Sequence, residues 1–217
     1  MASPEFVGRG EDLDVLAAAL DDAIVDKNPA TVLVGGDAGV GKTRLVDEFC
    51  RRARQSDADL LVASGLCVPA DGGGLPYGPV AGILRDVVRQ LGEEAATKTL
   101  GPLAAGLDWA APDLGVEGSL FGGGRHTEGL AKTRLFESIL AGFTALARRQ
   151  PVVLVFDDLQ WADSASAELL SFLTRNLDDA PLLLVGTYRT EEVGPEHELR
   201  PWLAELGRHA RVVHVRL

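Results

Sequence analysis

The sequence predicts an α/β fold: a mainly parallel five-stranded sheet with helices on both faces, a three-layer αβα sandwich. Five short apolar runs rich in β-branched residues recur at residues 31–34, 60–63, 152–156, 182–185 and 212–215, separated by stretches of helical periodicity. The runs are apolar throughout rather than alternating, as strands read when both faces are buried. At 217 residues and 46% hydrophobic, the chain can bury one large core, so residues 1–217 are expected to form a single domain.

Taken in order, the first element is a helix over residues 11–20, with Leu13, Leu16, Ala17, Leu20 and Ile24 at three- and four-residue steps as its core-facing stripe. The strand at 31–34 runs into a glycine-rich turn and a helix carrying Leu45, Val46 and Phe49. The interval between the second and third strands is long, and a helical insertion is expected at about residues 68–130. Helices are expected near 80–91 and 132–149, the latter facing the core through Leu135, Phe136, Ile139, Leu140 and Phe143. The glycine clusters at 72–74 and 122–124 read as loops, because neither precedes the Lys-Thr or Lys-Ser of a phosphate cradle. Past the third strand, Leu169, Leu170, Phe172 and Leu173 mark another helix.

Composition removes several function classes. A formal net charge of −11 opposes tight binding of this chain to a nucleic-acid backbone. No apolar run approaches the roughly eighteen residues of a membrane span, and no signal pattern opens the chain, so a cytoplasmic protein without membrane partners is expected. Cys50 and Cys67 have neither metal-ligand spacing nor the density of a disulfide scaffold and read as buried thiols.

The chemistry is carried by Gly36-Asp37-Ala38-Gly39-Val40-Gly41-Lys42-Thr43, which fits G-x-x-x-x-G-K-[ST] between a strand and a helix. Such a loop curls so that successive backbone N–H groups point at phosphates, and the helix N-terminus adds partial positive charge. Lys42 is expected to reach the β and γ phosphates and Thr43 to ligate Mg2+; residues 36–44, through Arg44, make up the predicted phosphate site. The third strand ends in Asp157-Asp158 at the edge where open α/β sheets bind ligands. There Asp157 is expected to hold the Mg2+ shell and Asp158 to orient the attacking water. Arg189, placed just past the fourth strand, is either a γ-phosphate contact or an ordinary surface arginine.

Further segments carry a resemblance: Phe6-Val7-Gly8-Arg9, Leu75-Pro76-Tyr77-Gly78-Pro79, Asp157-Asp158-Leu159-Gln160-Trp161-Ala162-Asp163 and Val185-Gly186-Thr187-Tyr188-Arg189. With the phosphate loop they make the chain resemble the STAND class of AAA-related P-loop ATPases, especially the ATPase domain of large ATP-binding LuxR-type transcriptional regulators. The resemblance implies the P-loop NTPase fold, ATP or ADP with Mg2+ as cofactors, nucleotide contacts from Val7, Gly8 and Arg9, and a sensing role for Arg189. Trp161 belongs to that signature or is plain packing. The resemblance also implies a lid, sensor repeats and a DNA-binding domain, which are expected to be absent from this chain.

Two function classes lead, beside a small-molecule phosphotransferase, which the acidic pair disfavours, and a domain that binds nucleotide without turnover. One is a switch that binds ATP and ADP differently and hydrolyses ATP slowly, regulating a bacterial signalling or transcription protein. The other is a self-associating remodelling ATPase needing an arginine finger, for which Arg175, Arg200 and Arg208 are candidates. Guanine nucleotides are disfavoured, because the chain has no Asn-Lys-x-Asp or Thr-Lys-x-Asp.

Overall fold

The computed structural model describes residues 8–69, 76–101, 103, 125–197, 199–209 and 211–217, with backbone alone at 125–129 and 131. Val7 and both glycine clusters lie outside the described residues. In chain order the elements are α1 (Gly10–Val25), β1 (Ala30–Gly36), α2 (Lys42–Ser56), β2 (Leu61–Leu66), α3 (Gly78–Leu91), α4 (Glu93–Leu100) and α5 (Arg125–Ala147). They continue with β3 (Val152–Asp157), a 3-10 turn (Leu159–Trp161), α6 (Ser164–Asn176), β4 (Leu182–Arg189), α7 (Leu199–Leu206) and β5 (Val212–Arg216).

The five strands form one all-parallel sheet in the order β2-β3-β4-β1-β5. Alternate residues of each strand feed opposite faces, as the two-residue period requires. Val32, Val34, Val153, Val155, Leu183 and Val185 pack with α1 and α2. Leu33, Val152, Leu154, Phe156, Leu182 and Leu184 pack with α3, α5, α6 and α7. Burial on both faces is why these strands carry apolar residues without alternation, and the three-layer expectation holds.

One local expectation is corrected, and two helices are added to those placed from the sequence. The buried stripe of α1 runs through Leu13, Leu16, Ala19, Leu20 and Ala23, while Ala17 is exposed and Ile24 half-buried. Helix α4, with the sequence Glu-Glu-Ala-Ala-Thr-Lys-Thr-Leu, was not foreseen, because only Ala96 and Leu100 are buried and the apolar stripe is too sparse to show. Nor was α7, whose Pro201 reads as a breaker but stands in the first turn, where a missing N–H breaks no helical bond; Leu199, Trp202 and Leu206 are its buried side. Among the described residues no helix is long and apolar enough to cross a membrane. Cys50 and Cys67 are free and buried.

The start of α3 lies directly on β2. A Cβ built at Gly65 would stand 1.9 Å from the Pro79 carbonyl oxygen, and Gly82 meets the Gly65 Cα on the same seam. Because the obstacle is backbone, Gly65→Ala should force the helix away from the strand. We expect a loss of about 3 kcal/mol, read as a fall in Tm of about 6–12 °C. Gly78→Ala, in open space, should melt close to wild type. Equal melting of the two variants would contradict the close seam.

Candidate functional site

Strand β1 delivers the chain to the carboxyl edge of the sheet at Gly36, and the phosphate loop follows. Gly39 and Gly41 hold φ of +75° and +101°, a region open mainly to glycine. Both stand in open space, so the backbone conformation, not crowding, requires glycine there. Gly41 caps α2 without a side-chain hydrogen bond; the first amides of α2 are therefore available to an anion. Lys42 is buried, and its ammonium donates to the carbonyls of Gly36 and Asp37, each at 2.8 Å. An ammonium has three protons to donate, so two shape the loop and one remains.

The loop is also gripped from outside. The β1–β4 register sets Gly36 beside Arg189, so the residues after β4 run alongside the loop. Thr190 N donates to the Gly36 carbonyl at 3.2 Å, and Thr190 Oγ1 donates to Asp37 Oδ1 at 2.7 Å. Ala38 N donates to Glu191 Oε1 at 2.6 Å. With the Ala38 amide on a carboxylate and the Val40 amide donating to the Asp37 carbonyl at 3.3 Å, the amides of residues 39 and 41–43 are the ones left to meet an anion. Arg44 is exposed in the first turn of α2.

At the end of β3 the structure brings Asp157 to Thr43. Thr43 Oγ1 donates to Asp157 Oδ2 across 3.4 Å, near the roughly 3 Å between neighbouring oxygens around an octahedral Mg2+ with ligands at about 2.0–2.1 Å. The other oxygen, Oδ1, accepts from the Thr187 hydroxyl, which in turn accepts from the Asp158 amide at 3.0 Å. One hydroxyl thus donates once and accepts once, as its chemistry allows. Thr187 is only 1% exposed. An oxygen-only donor pair of this spacing, with the carboxylate locked from behind, fits Mg2+.

Asp158 adopts the left-handed conformation, φ 56° and ψ 49°. In a non-glycine residue this costs on the order of 1 kcal/mol, although Asp tolerates it better than most. The turn starts the 3-10 segment, whose Leu159 fills the space left by the missing side chain of Gly186. Gln160, only 3% exposed, donates from Nε2 to Asp158 Oδ1 at 2.8 Å and accepts at Oε1 from the Arg189 amide at 3.1 Å. Arg189 is the last residue of β4 rather than beyond it; Nε lies 3.8 Å from Asp158 Oδ1, and Nη1 donates to Glu192 at 2.6 Å. Beyond the turn, Asp163 caps α6 by accepting from the Ser166 amide at 2.9 Å. Trp161 is two-fifths exposed and so is not core packing.

Beside the pair lies a cleft of about 210 Å³ lined by Thr43, Asp47, Ser64, Gly65, Leu66 and Asp157, among others. Burial, and then the charge of Asp157, raise the Asp47 carboxyl above its ordinary value. Burial, followed by the charges of Asp163, Asp157 and Asp158, pushes the Cys67 thiol up to about 12, so it stays protonated. Arg9 lies just ahead of α1 and ion-pairs with Asp12 at 3.4 Å; Gly8 is exposed with φ +89°. Among the described contacts, neither residue is joined to the phosphate loop. A groove of about 510 Å³ between α6 and α7, with Phe172, Arg175, Trp202 and Glu205 on its walls, shares no lining residue with the phosphate loop or the acidic pair.

Thr187, Gln160, Thr190 and Glu191 were not assigned roles from sequence. Thr187 and Gln160 did stand inside the quoted motifs, and a polar residue closing an apolar strand was the available signal.

Comparison with known proteins bears on this geometry. An uncharacterised protein of Rhizobium meliloti (strain 1021) is 28% identical over 201 residues, covering 85% of this chain. The chain spans only 18% of that relative's length. Among solved structures, a signal-transduction ATPase with numerous domains (STAND) from Pyrococcus horikoshii, which carries a tetratricopeptide repeat sensor, has a TM-score of 0.43 at 17% identity. It covers 100% of this chain and 24% of its own. Rhizobiales Trip13 has a TM-score of 0.44 at 12% identity over 97% of this chain and 62% of its own. The AAA ATPase domain family matches residues 5–185, a span that holds the phosphate loop, the acidic pair and the apolar start of β4, and the chain belongs to that family.

Proposed function

We propose that this domain binds ATP and ADP with Mg2+ and hydrolyses ATP slowly, as the nucleotide switch of a larger cytoplasmic signalling or transcription-regulating protein of the LuxR type. The observation that carries the reading is the meeting of Thr43, Asp157, Thr187 and Asp158 beside a loop shaped by Lys42. In this reading the free donor of Lys42 and the amides of residues 39 and 41–43 bind the β and γ phosphates. Thr43 and Asp157 hold Mg2+, which when bound neutralises phosphate charge. Thr187 keeps one oxygen of Asp157 occupied so that the other faces Thr43. Asp158 orients the water, and Arg189, next to Asp158, contacts the γ-phosphate. A net charge of −11 argues that any DNA contact belongs to other parts of the full protein.

Calorimetric titration with MgATP and MgADP, with phosphate release followed across protein concentrations, tests the reading. Binding with slow, concentration-independent turnover is expected. Turnover per molecule that climbs steeply with concentration would favour a self-associating remodelling ATPase, and absence of binding to either nucleotide would defeat the proposal.

A further inference from the structure

The strand ends that carry Asp158 and Arg189 are joined more tightly through a third residue than to each other. Their direct ion pair spans 3.8 Å, beyond hydrogen-bond reach. The Gln160 path is made of two ordinary bonds, 2.8 Å to Asp158 Oδ1 and 3.1 Å from the Arg189 amide. This side chain is almost completely buried, and its amide has one workable orientation. Turned over, it would set Nε2 against the Arg189 N–H and Oε1 against a carboxylate, donor to donor and acceptor to acceptor. Its backbone is held as well. The Trp161 amide returns to the Asp158 carbonyl at 2.9 Å, and the Ala162 amide to that of Leu159 at 2.9 Å. Leu159 is seated against Gly186 on β4, so Gln160 has little freedom to move independently of either strand.

We propose that Gln160 is a positioning residue that couples Arg189 to Asp158. It holds Asp158 Oδ1, leaving Oδ2 as the oxygen for water, and it ties that carboxylate to the backbone of β4. A shift of β4 when Arg189 engages phosphate is then felt at the carboxylate that orients water. The inference rests on the nucleotide reading above and adds to it a residue with no direct contact to phosphate or metal.

The test uses the whole chain, with Gln160→Leu removing both bonds and Gln160→Glu keeping the acceptor for Arg189 while replacing the donor to Asp158. Both variants should bind MgATP within about threefold of wild type and lose about 10- to 100-fold in single-turnover hydrolysis, the usual effect of removing a group that orients a ligand or catalytic residue. In an Asp158→Asn background, Gln160→Leu should cause no further loss, because the two act as one unit. Hydrogen exchange at the Arg189 amide should accelerate in nucleotide-free Gln160→Leu. Wild-type turnover in both variants, or losses that multiply with Asp158→Asn, would overturn the coupling. Should Gln160→Leu not fold, Gln160→Glu carries the same comparison. If the wild type bound no nucleotide the functional reading would fall, and the exchange experiment would still decide the coupling: faster exchange supports it and unchanged exchange overturns it.

Discussion

Lys42→Ala is expected to weaken MgATP binding at least a hundredfold with the fold retained. The ammonium is buried and holds the Gly36 and Asp37 carbonyls at 2.8 Å, so the substitution removes both a charge for the phosphates and an internal tie of the loop. Truncating one member of a buried, hydrogen-bonded charge pair costs about 3 kcal/mol, a little over two decades in Kd. The external grip of Thr190 and Glu191 on the same loop should keep it near its native path, so the circular dichroism spectrum should match wild type. Calorimetry on the two proteins measures the effect, and equal affinities would remove Lys42 from the site.

Asp158→Asn should do the reverse: MgATP affinity close to wild type, and turnover lower by a factor of about 10² to 10⁴, the usual share of a positioned acid or base. The substitution is a fair probe because Asn tolerates the left-handed backbone found at Asp158 and still offers an oxygen to Gln160 Nε2. What disappears is the carboxylate charge beside Arg189. Single-turnover phosphate release from preformed complexes separates this loss from binding. Full turnover in Asp158→Asn would mean that another group orients the water. The contrast with Lys42→Ala matters as much as either result, since a nonspecific folding defect would lower binding and turnover together.

Much of the architecture was legible because the physics that forms it is local. A strand buried on both faces must be apolar along its length, so β1, β3 and β4 stood out at residues 31–34, 152–156 and 182–185, with limits short of the observed ones. The polar ends were harder: β4 continues through Thr187, Tyr188 and Arg189, because β1 keeps pairing with it there after the β3 pairing has ended at Gly186. Helix α7 was hidden by Pro201, and the α1 stripe was misjudged at Ala17 because alanine is apolar enough to sit on either side.

The candidate residues show the same division. Gly39 and Gly41 could be singled out from sequence because a loop with left-handed turns needs glycine wherever it occurs. Asp157 and Asp158 could be noticed as carboxylates closing an apolar strand. Which atoms meet is another matter. Thr187 reaches Asp157 because the β3–β4 register aligns Phe156 with Gly186, so the next residues face each other. Glu191 reaches Ala38 across 153 positions of chain because the β1–β4 register brings Gly36 beside Arg189.

The sequence by itself determined the layers, the phosphate-loop backbone and the identity of the acidic pair, since each follows from side-chain period, backbone freedom or charge within a few neighbouring residues. Only the tertiary structure decided that Gln160 faces both Asp158 and Arg189, that Thr187 locks Asp157, and that Thr190 and Glu191 grip the phosphate loop. Those contacts depend on strand order and register, which arise from packing the whole sheet against two helical layers and are encoded in no single stretch of chain.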